Sequence, residues 1–232
     1  MQSTQWDDVL ALGDAARQSI LEAHRAKGVK IPCGDGVIIA AGVKIGAGTL
    51  ILPGTILRGG TVFGERCVVG PGSLLADTAV GDCAQLNHVQ AQGAAIGPGC
   101  EIGPWVRLRP GAVLGAGLRV GNFVEIKNSA VGDGSKIAHL SYIGDARLGK
   151  NVNVGCGVAV ANYDGRDKYE TVVGDGAFIG CNNSLVAPVT LGPGAYTAAG
   201  SVITEDVPEG TLAIARARQV NKPRRRKEEG RG

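Results

Sequence analysis

Two cations and a histidine are the residues of this chain whose types and spacing could do chemistry. Arg109 and Lys127 stand three hexads apart and occupy equivalent places, each directly after an aliphatic residue, where the neighbouring equivalents are Gly97, Gly103, Gly115 and Gly121. In a chain that completes one coil every three hexads they stack at about the 4.8 Å spacing of adjacent strands. Like charges that close repel unless an anion sits between them or a carboxylate screens them. Phosphate is a natural guest, because Arg offers a planar fork and Lys a point charge. The other reading is solvated side chains, with Glu125 and Arg107, also three hexads apart, forming an ordinary cross-coil ion pair. His139 lies two residues past the aliphatic Ile137 and is read as facing outward, with Tyr142 one strand further on. A neutral imidazole there could take a proton from an amine as it attacks a carbonyl.

These residues are positioned by a period of six. Ile39, Ile45, Ile51, Leu57, Phe63, Val69 and Leu75 form one series, and Ile96, Ile102, Leu108, Leu114, Val120 and Ile126 a second; Val173, Ile179, Leu185 and Leu191 form a third. A helix repeats at three and four residues and a flat strand at two, so six demands a short strand plus a fixed turn. Small residues often follow the aliphatic position, as in Ile45-Gly46 and Ile179-Gly180, which suits a corner. The fold class expected is all-β: a solenoid of hexapeptide repeats in which each unit buries its aliphatic residue only by stacking on its neighbours. The 38 glycines and 4% aromatics fit narrow coils.

The failures of the period are also ordered. The step from Ile126 to Val131 is five, and one coil later so is the step from Ile143 to Leu148; the third, from Val160 to Val173, is expanded into a loop. Defects repeated in register stack on one edge. The expanded step carries a polar segment, Asn162 to Lys168, able to reach across a cleft or onto a neighbouring subunit.

Three segments are expected: residues 1–30, a short N-terminal helix and linker; 31–215, the repeat domain; and 216–232, a basic tail. From Asp7 to Lys27 the residues Val9, Leu12, Ala16, Ile20, Ala23 and His24 recur at helical steps, with Gly28 where a helix would stop, so this segment is read as a cap on an open solenoid end. The segment from Arg216 to Gly232 carries a net charge of +6 within a formal total of +3, leaving the body about −3. It is read as a solvated, disordered terminus, and no nucleic-acid partner is assigned.

Met1 to Asp8 lacks the basic-then-apolar pattern of a secretory leader, and no apolar run reaches membrane-spanning length. A cytoplasmic setting with no membrane span is expected. The six cysteines form no Cys-x-x-Cys pair and are read as reduced thiols, with Cys67 and Cys100 filling small positions beside the core. The chain has His24, His88 and His139 and no closely spaced pair of them, so no metal is expected.

The stretches Val120-Gly-Asn-Phe-Val-Glu-Ile-Lys-Asn128, Gly134-Ser-Lys-Ile-Ala-His-Leu-Ser-Tyr-Ile-Gly-Asp145, Gly149-Lys-Asn-Val-Asn-Val-Gly155, Asn162-Tyr-Asp-Gly165 and Leu185-Val-Ala-Pro-Val189 closely resemble the carboxy-terminal acetyltransferase domain of the bifunctional glucosamine-1-phosphate N-acetyltransferase and N-acetylglucosamine-1-phosphate uridyltransferase. The match is strong from about Ile96 to Arg218 and weaker back to Arg17. The resemblance implies a left-handed parallel β-helix, a homotrimer with active sites between subunits, and transfer of acetyl from acetyl-CoA to the amine of glucosamine 1-phosphate on the route to UDP-N-acetylglucosamine.

Carried over residue by residue, the resemblance makes His139 the general base. Arg109, Lys127, Tyr142, Asn153 and Lys168 become contacts to the sugar phosphate, with Glu125 close by. Asn162, Tyr163, Ala199 and Arg216 fall at positions that meet acetyl-CoA, as do Cys156 and Cys181, where the family pattern has Ala and Ser. Direct transfer from a thioester implies no metal. The nucleotide-binding domain of the bifunctional proteins has no counterpart in the sequence: Gly46-Ala-Gly48 belongs to the repeat, and Gly144 to Asn151 mimics a P-loop without its final Ser or Thr and without a following helix. Uridylyl transfer is not expected, and a separate uridyltransferase would supply it. Acetylation of another amino sugar or nucleotide sugar, and a non-catalytic trimeric scaffold, are the alternatives.

Overall fold

In a computed structural model, which describes residues 6–223, the chain is a left-handed parallel β-helix of about ten coils. Each coil contributes one short strand to each of three sheets, of 10, 9 and 10 strands. The first sheet runs from Ile38–Ile39 to Val202–Ile203, the second from Lys44–Ile45 to Val189–Leu191, and the third from Leu50–Ile51 to Leu212–Ala213.

The period of six is the reason for this architecture. Every member of the three aliphatic series points inward and is buried, from Ile39 through Leu191. Each fully buried aliphatic side chain contributes roughly 1.5–3 kcal/mol, and it finds its partners in the coils before and after, so cohesion runs along the axis. Thr, Ser and Cys line the corners beside this core. Ser129 shows how the polar ones are satisfied: its hydroxyl donates to the Lys127 carbonyl at 2.8 Å and accepts from the Ala146 amide at 3.0 Å. Cys67 and Cys100 are buried there as expected. The small residue after the aliphatic position is a steric need at Gly121, where a Cβ would lie 1.8 Å from the Ala138 carbonyl oxygen of the next coil.

Register follows coil length. Arg107 pairs with Glu125 and Leu108 with Ile126, a coil of three full hexads, so Arg109 and Lys127 fall in register. The next two coils are each one residue shorter: Glu125 pairs with Tyr142 and Tyr142 with Ala159, Lys127 with Gly144, and Asn122 with His139. The five-residue steps do stack on one edge, between the first and second sheets. That edge turns through Asn128 at φ 43° and Asp145 at φ 48°, residues that tolerate the left-handed region.

The amino end differs from the single helix expected. It forms two helices, α1 (Asp7–Leu10) and α2 (Asp14–Ala26), separated at Gly13, which is extended at φ −70°, ψ 164° and precedes α2 as its N-cap. The face also differs. Ala16 and Ala23 are exposed, while Leu21, outside the expected series, is buried with His24 against the first coil. Arg25 donates to the Ile31 carbonyl at 3.1 Å and Asp8 accepts from the Gly59 amide at 2.9 Å, so the segment is pinned over the open end. Arg216 to Pro223 is exposed and without regular structure; the tail expected beyond it lies outside the described residues. Among the described residues no helix is long and apolar enough to cross a membrane.

Candidate active site

The stacked cations sit on the outer face of the first sheet. Arg109 is not left facing Lys127 alone: its guanidinium bonds Glu125 at 3.0 Å. The alternative reading pairs Arg107 with Glu125; the structure gives Glu125 to Arg109 instead. Arg107 and Glu125 are in register, but the long Arg109 side chain reaches the carboxylate across the diagonal of the sheet, which also screens it from Lys127. Both partners are about a third exposed, so the pair orients the guanidinium more than it stabilises the fold.

Lys127 meets Lys168 from the polar loop. The close approach of the two like-charged ammonium groups, then desolvation and the further charge of Arg109, hold the Lys127 ammonium below its usual range against the opposing pull of Asp145. Three cations therefore converge from separate coils and the loop. Asp145 sets a negative charge near Lys127 and Lys168. Burial disfavours its charge, yet hydrogen bonds from Asn128 and Asn162 and the charges of Lys127 and Lys168 outweigh that and keep its carboxyl below the ordinary carboxylate range. Asn128 Nδ2 donates to Asp145 at 2.6 Å and Asn162 Nδ2 donates to the other oxygen. Asn128, Asp145 and Asn162 thus form a ladder at the corner where the loop departs.

The loop itself is built by Asp164, which accepts from the amides of Arg166 at 2.8 Å and Asp167 at 2.7 Å. Asn162 is buried at its root, while Tyr163 is exposed and donates to the Gly165 carbonyl at 2.7 Å.

His139 ends a strand of the third sheet, exposed as expected, and lines a groove with Asn87, Glu101 and Arg119. Its Nδ1 lies 2.8 Å from Asn122 Oδ1. An amide oxygen only accepts, so of the two neutral tautomers this contact favours the one with its proton on Nδ1 and the lone pair on Nε2 open to an incoming group. After His139 the chain turns through Leu140 at φ 50° and opens the first-sheet strand at Tyr142. Trp105 and Phe123 occupy the same corner in earlier coils, also at positive φ, and stack at 5.5 Å. They are 56% and 54% exposed, an apolar ridge beside the histidine.

The same corner, further along the axis, carries Cys156, Cys181 and Ala199. Among the described residues their backbone N–H groups donate to nothing. At the corner between the second and third sheets the equivalent amides of Glu65, Ala116 and Lys150 are each met at 2.8–2.9 Å by Asp82, Asp133 and Asp175. The contrast leaves a row of donors able to take the carbonyl groups of a ligand. Arg216 lies over Gly200, next to Ala199.

The structure therefore brings Arg109, Glu125, Lys127, Lys168 and Asn162 together. It sets His139 at the edge of another face and Cys156, Cys181, Ala199 and Arg216 along that edge. Asn153 is half-buried on the third sheet, paired with Lys136 and Phe178, and is not joined to the cations within one chain. Asn122 and Asp145 were missed by sequence reasoning. The signal was present: Asn122 precedes His139 by one shortened coil, and Asn128, Asp145 and Asn162 follow one another at the same interval.

Coils, an outward histidine and stacked cations define a transferase-type hexapeptide-repeat β-helix, and the family described as bacterial transferase hexapeptide (six repeats) matches residues 170–205. The chain resembles the carboxy-terminal acetyltransferase domain of the bifunctional protein GlmU. It is 50% identical to GlmU of Geobacillus sp. (strain WCH70) over 219 residues, 93% of this chain and 48% of that protein. Over 206 residues it is 50% identical to GlmU of Caldanaerobacter subterraneus subsp. tengcongensis, 89% of this chain and 45% of that one. The chain thus spans about half the length of the curated relatives it matches. Among solved structures, an Arabidopsis UDP-N-acetylglucosamine acyltransferase superposes with a TM-score of 0.53 at 19% identity, covering 81% of this chain and 70% of that one, which shows the shared fold.

Proposed function

We propose that the chain is an acetyltransferase that moves acetyl from acetyl-CoA to the amine of glucosamine 1-phosphate, in UDP-N-acetylglucosamine biosynthesis. The observation that carries this reading is the convergence of Arg109, Lys127 and Lys168, whose mutual repulsion an acceptor phosphate would relieve. The similarity to GlmU supports the same acceptor.

The acceptor amine attacks the thioester carbon, forming the C–N bond. His139 Nε2 takes the amine proton while Asn122 holds the ring by Nδ1. The C–S bond breaks, and the departing coenzyme A thiolate receives a proton from the imidazolium. The free amides at Cys156, Cys181 and Ala199 offer donors for the carbonyl groups of acetyl-CoA and for the developing oxyanion; Arg216 reaches the cofactor's phosphates, and Tyr163 and Asn162 border it from the loop. Tyr142, Asn153 and Glu125 complete the acceptor site. An activated thioester requires no metal.

The functional unit is a homotrimer with sites between subunits. The exposed ridge of Trp105, Phe123 and Leu140 beside His139, and the separation of Asn153 from the cations in one chain, support this. The setting is the cytoplasm, in keeping with six unpaired thiols.

The test is free-thiol release from acetyl-CoA with glucosamine 1-phosphate, glucosamine 6-phosphate or glucosamine. Turnover confined to the first, and reduced about 10²- to 10⁴-fold in His139→Ala, is the expected result. Silence with all three sugars overturns the acceptor reading.

A further inference from the structure

Gly144 follows the aliphatic Ile143 and reads in sequence as an ordinary corner glycine of the repeat. The structure gives it a different setting. It stands in a column running down the edge of the first sheet, one residue per coil, in which Arg58 pairs with Ala76, Ala76 with Gln92, Lys127 with Gly144, and Ala161 with Val186. Those other positions all carry side chains, so the column has room for a Cβ. Nor does the backbone require glycine, since Gly144 is not among the residues at positive φ.

What occupies the place of the missing side chain is Tyr142. The two residues are two apart on one strand and share its outer face. A Cβ on Gly144 would lie 2.4 Å from the Tyr142 Oη, 2.6 Å from Cζ and 2.8 Å from Cε1. The phenol lies along its own strand, and its hydroxyl enters the column at the level next to Lys127, which itself follows Arg109.

We propose that Gly144 is a positioning residue: by lacking a side chain it seats the Tyr142 hydroxyl as the third member of the Arg109–Lys127 column, completing the donors offered to an acceptor phosphate. The inference rests on the acceptor reading above and adds to it the residue that orients the tyrosine. Alanine would displace the flexible ring rather than the backbone, because the three atoms nearest that Cβ all belong to Tyr142.

The experiment is a double-mutant cycle on the full chain, with KM for glucosamine 1-phosphate and kcat measured for wild type, Gly144→Ala, Tyr142→Ala and the double variant. Gly144→Ala raises that KM about ten-fold, the loss of a hydrogen bond to a charged group, with kcat and the KM for acetyl-CoA little changed. The double variant matches Tyr142→Ala, since with the ring gone the added methyl meets nothing. An unchanged KM in Gly144→Ala, or a double variant whose loss is the product of the two single losses, overturns the proposal. If Gly144→Ala fails to fold, far-UV circular dichroism of the double variant decides: recovery supports the contact with the phenol, and continued failure shows that Gly144 serves packing alone. Wild-type silence with glucosamine 1-phosphate takes down the acceptor reading and this inference together, whereas wild-type turnover with multiplicative losses removes only the inference.

Discussion

Replacing Asn122 with Ala tests whether His139 acts as an oriented base. The interaction removed at the imidazole is the 2.8 Å contact between Nδ1 and Asn122 Oδ1. A neutral hydrogen bond of this kind contributes about 0.5–1.5 kcal/mol net. Without it the ring rotates and both neutral tautomers are populated, so the fraction presenting a lone pair at Nε2 falls. If that free energy is spent wholly on holding the ring ready, kcat drops by about two- to thirteen-fold, since about 1.4 kcal/mol is a factor of ten. This is well short of the loss expected for His139→Ala, because the base is still present. The assay is thiol release at saturating acetyl-CoA and glucosamine 1-phosphate, with both KM values measured alongside. Asn122→Asp keeps an acceptor facing Nδ1 and retains more activity than the alanine variant. An Asn122→Ala enzyme as fast as wild type, or one whose loss lies entirely in KM, would refute the orienting role.

Arg109→Ala and Lys127→Ala each raise the KM for glucosamine 1-phosphate about ten-fold or more, with a smaller effect on any residual turnover of glucosamine; equal losses toward both sugars remove the cations from phosphate binding. Asp145 has a carboxyl held below its ordinary range in the folded chain, so the stability it contributes is complete above about pH 4 and is lost as the pH falls through its folded value. Asp145→Asn therefore melts below wild type at pH 7, and the difference narrows in thermal scans as the pH is lowered toward 2; a constant difference across that range contradicts the ladder. Ile126 is fully buried, and Ile126→Ala costs about 2–5 kcal/mol, read as a lower denaturation midpoint.

The repeat was legible because its physics is local. One inward aliphatic residue every six positions leaves a chain no way to bury them except by coiling, and counting three hexads on from Arg109 reaches Lys127 without knowledge of any contact. Its place two residues past the inward Ile137 also marked His139 as facing outward. The break at Gly13 and the choice of Leu21 over Ala16 were not legible: helical steps exist on several faces, and only the open end of the solenoid selects which is buried.

The site divides in the same way. From residue types and spacing alone come the solenoid, the in-register stacking of Arg109 on Lys127, the outward histidine and the polar loop at the repeated five-residue step. Tertiary structure decided which partners those groups take: Arg109 rather than Arg107 on Glu125, Asn122 on His139, the Asn128–Asp145–Asn162 ladder under Lys127, and the Tyr142 ring over Gly144. The reason is geometric. Strand register depends on integer coil lengths that can be counted along the chain, whereas a side chain of several ångströms reaches diagonally across coils, and its end point is set by what neighbouring columns leave open.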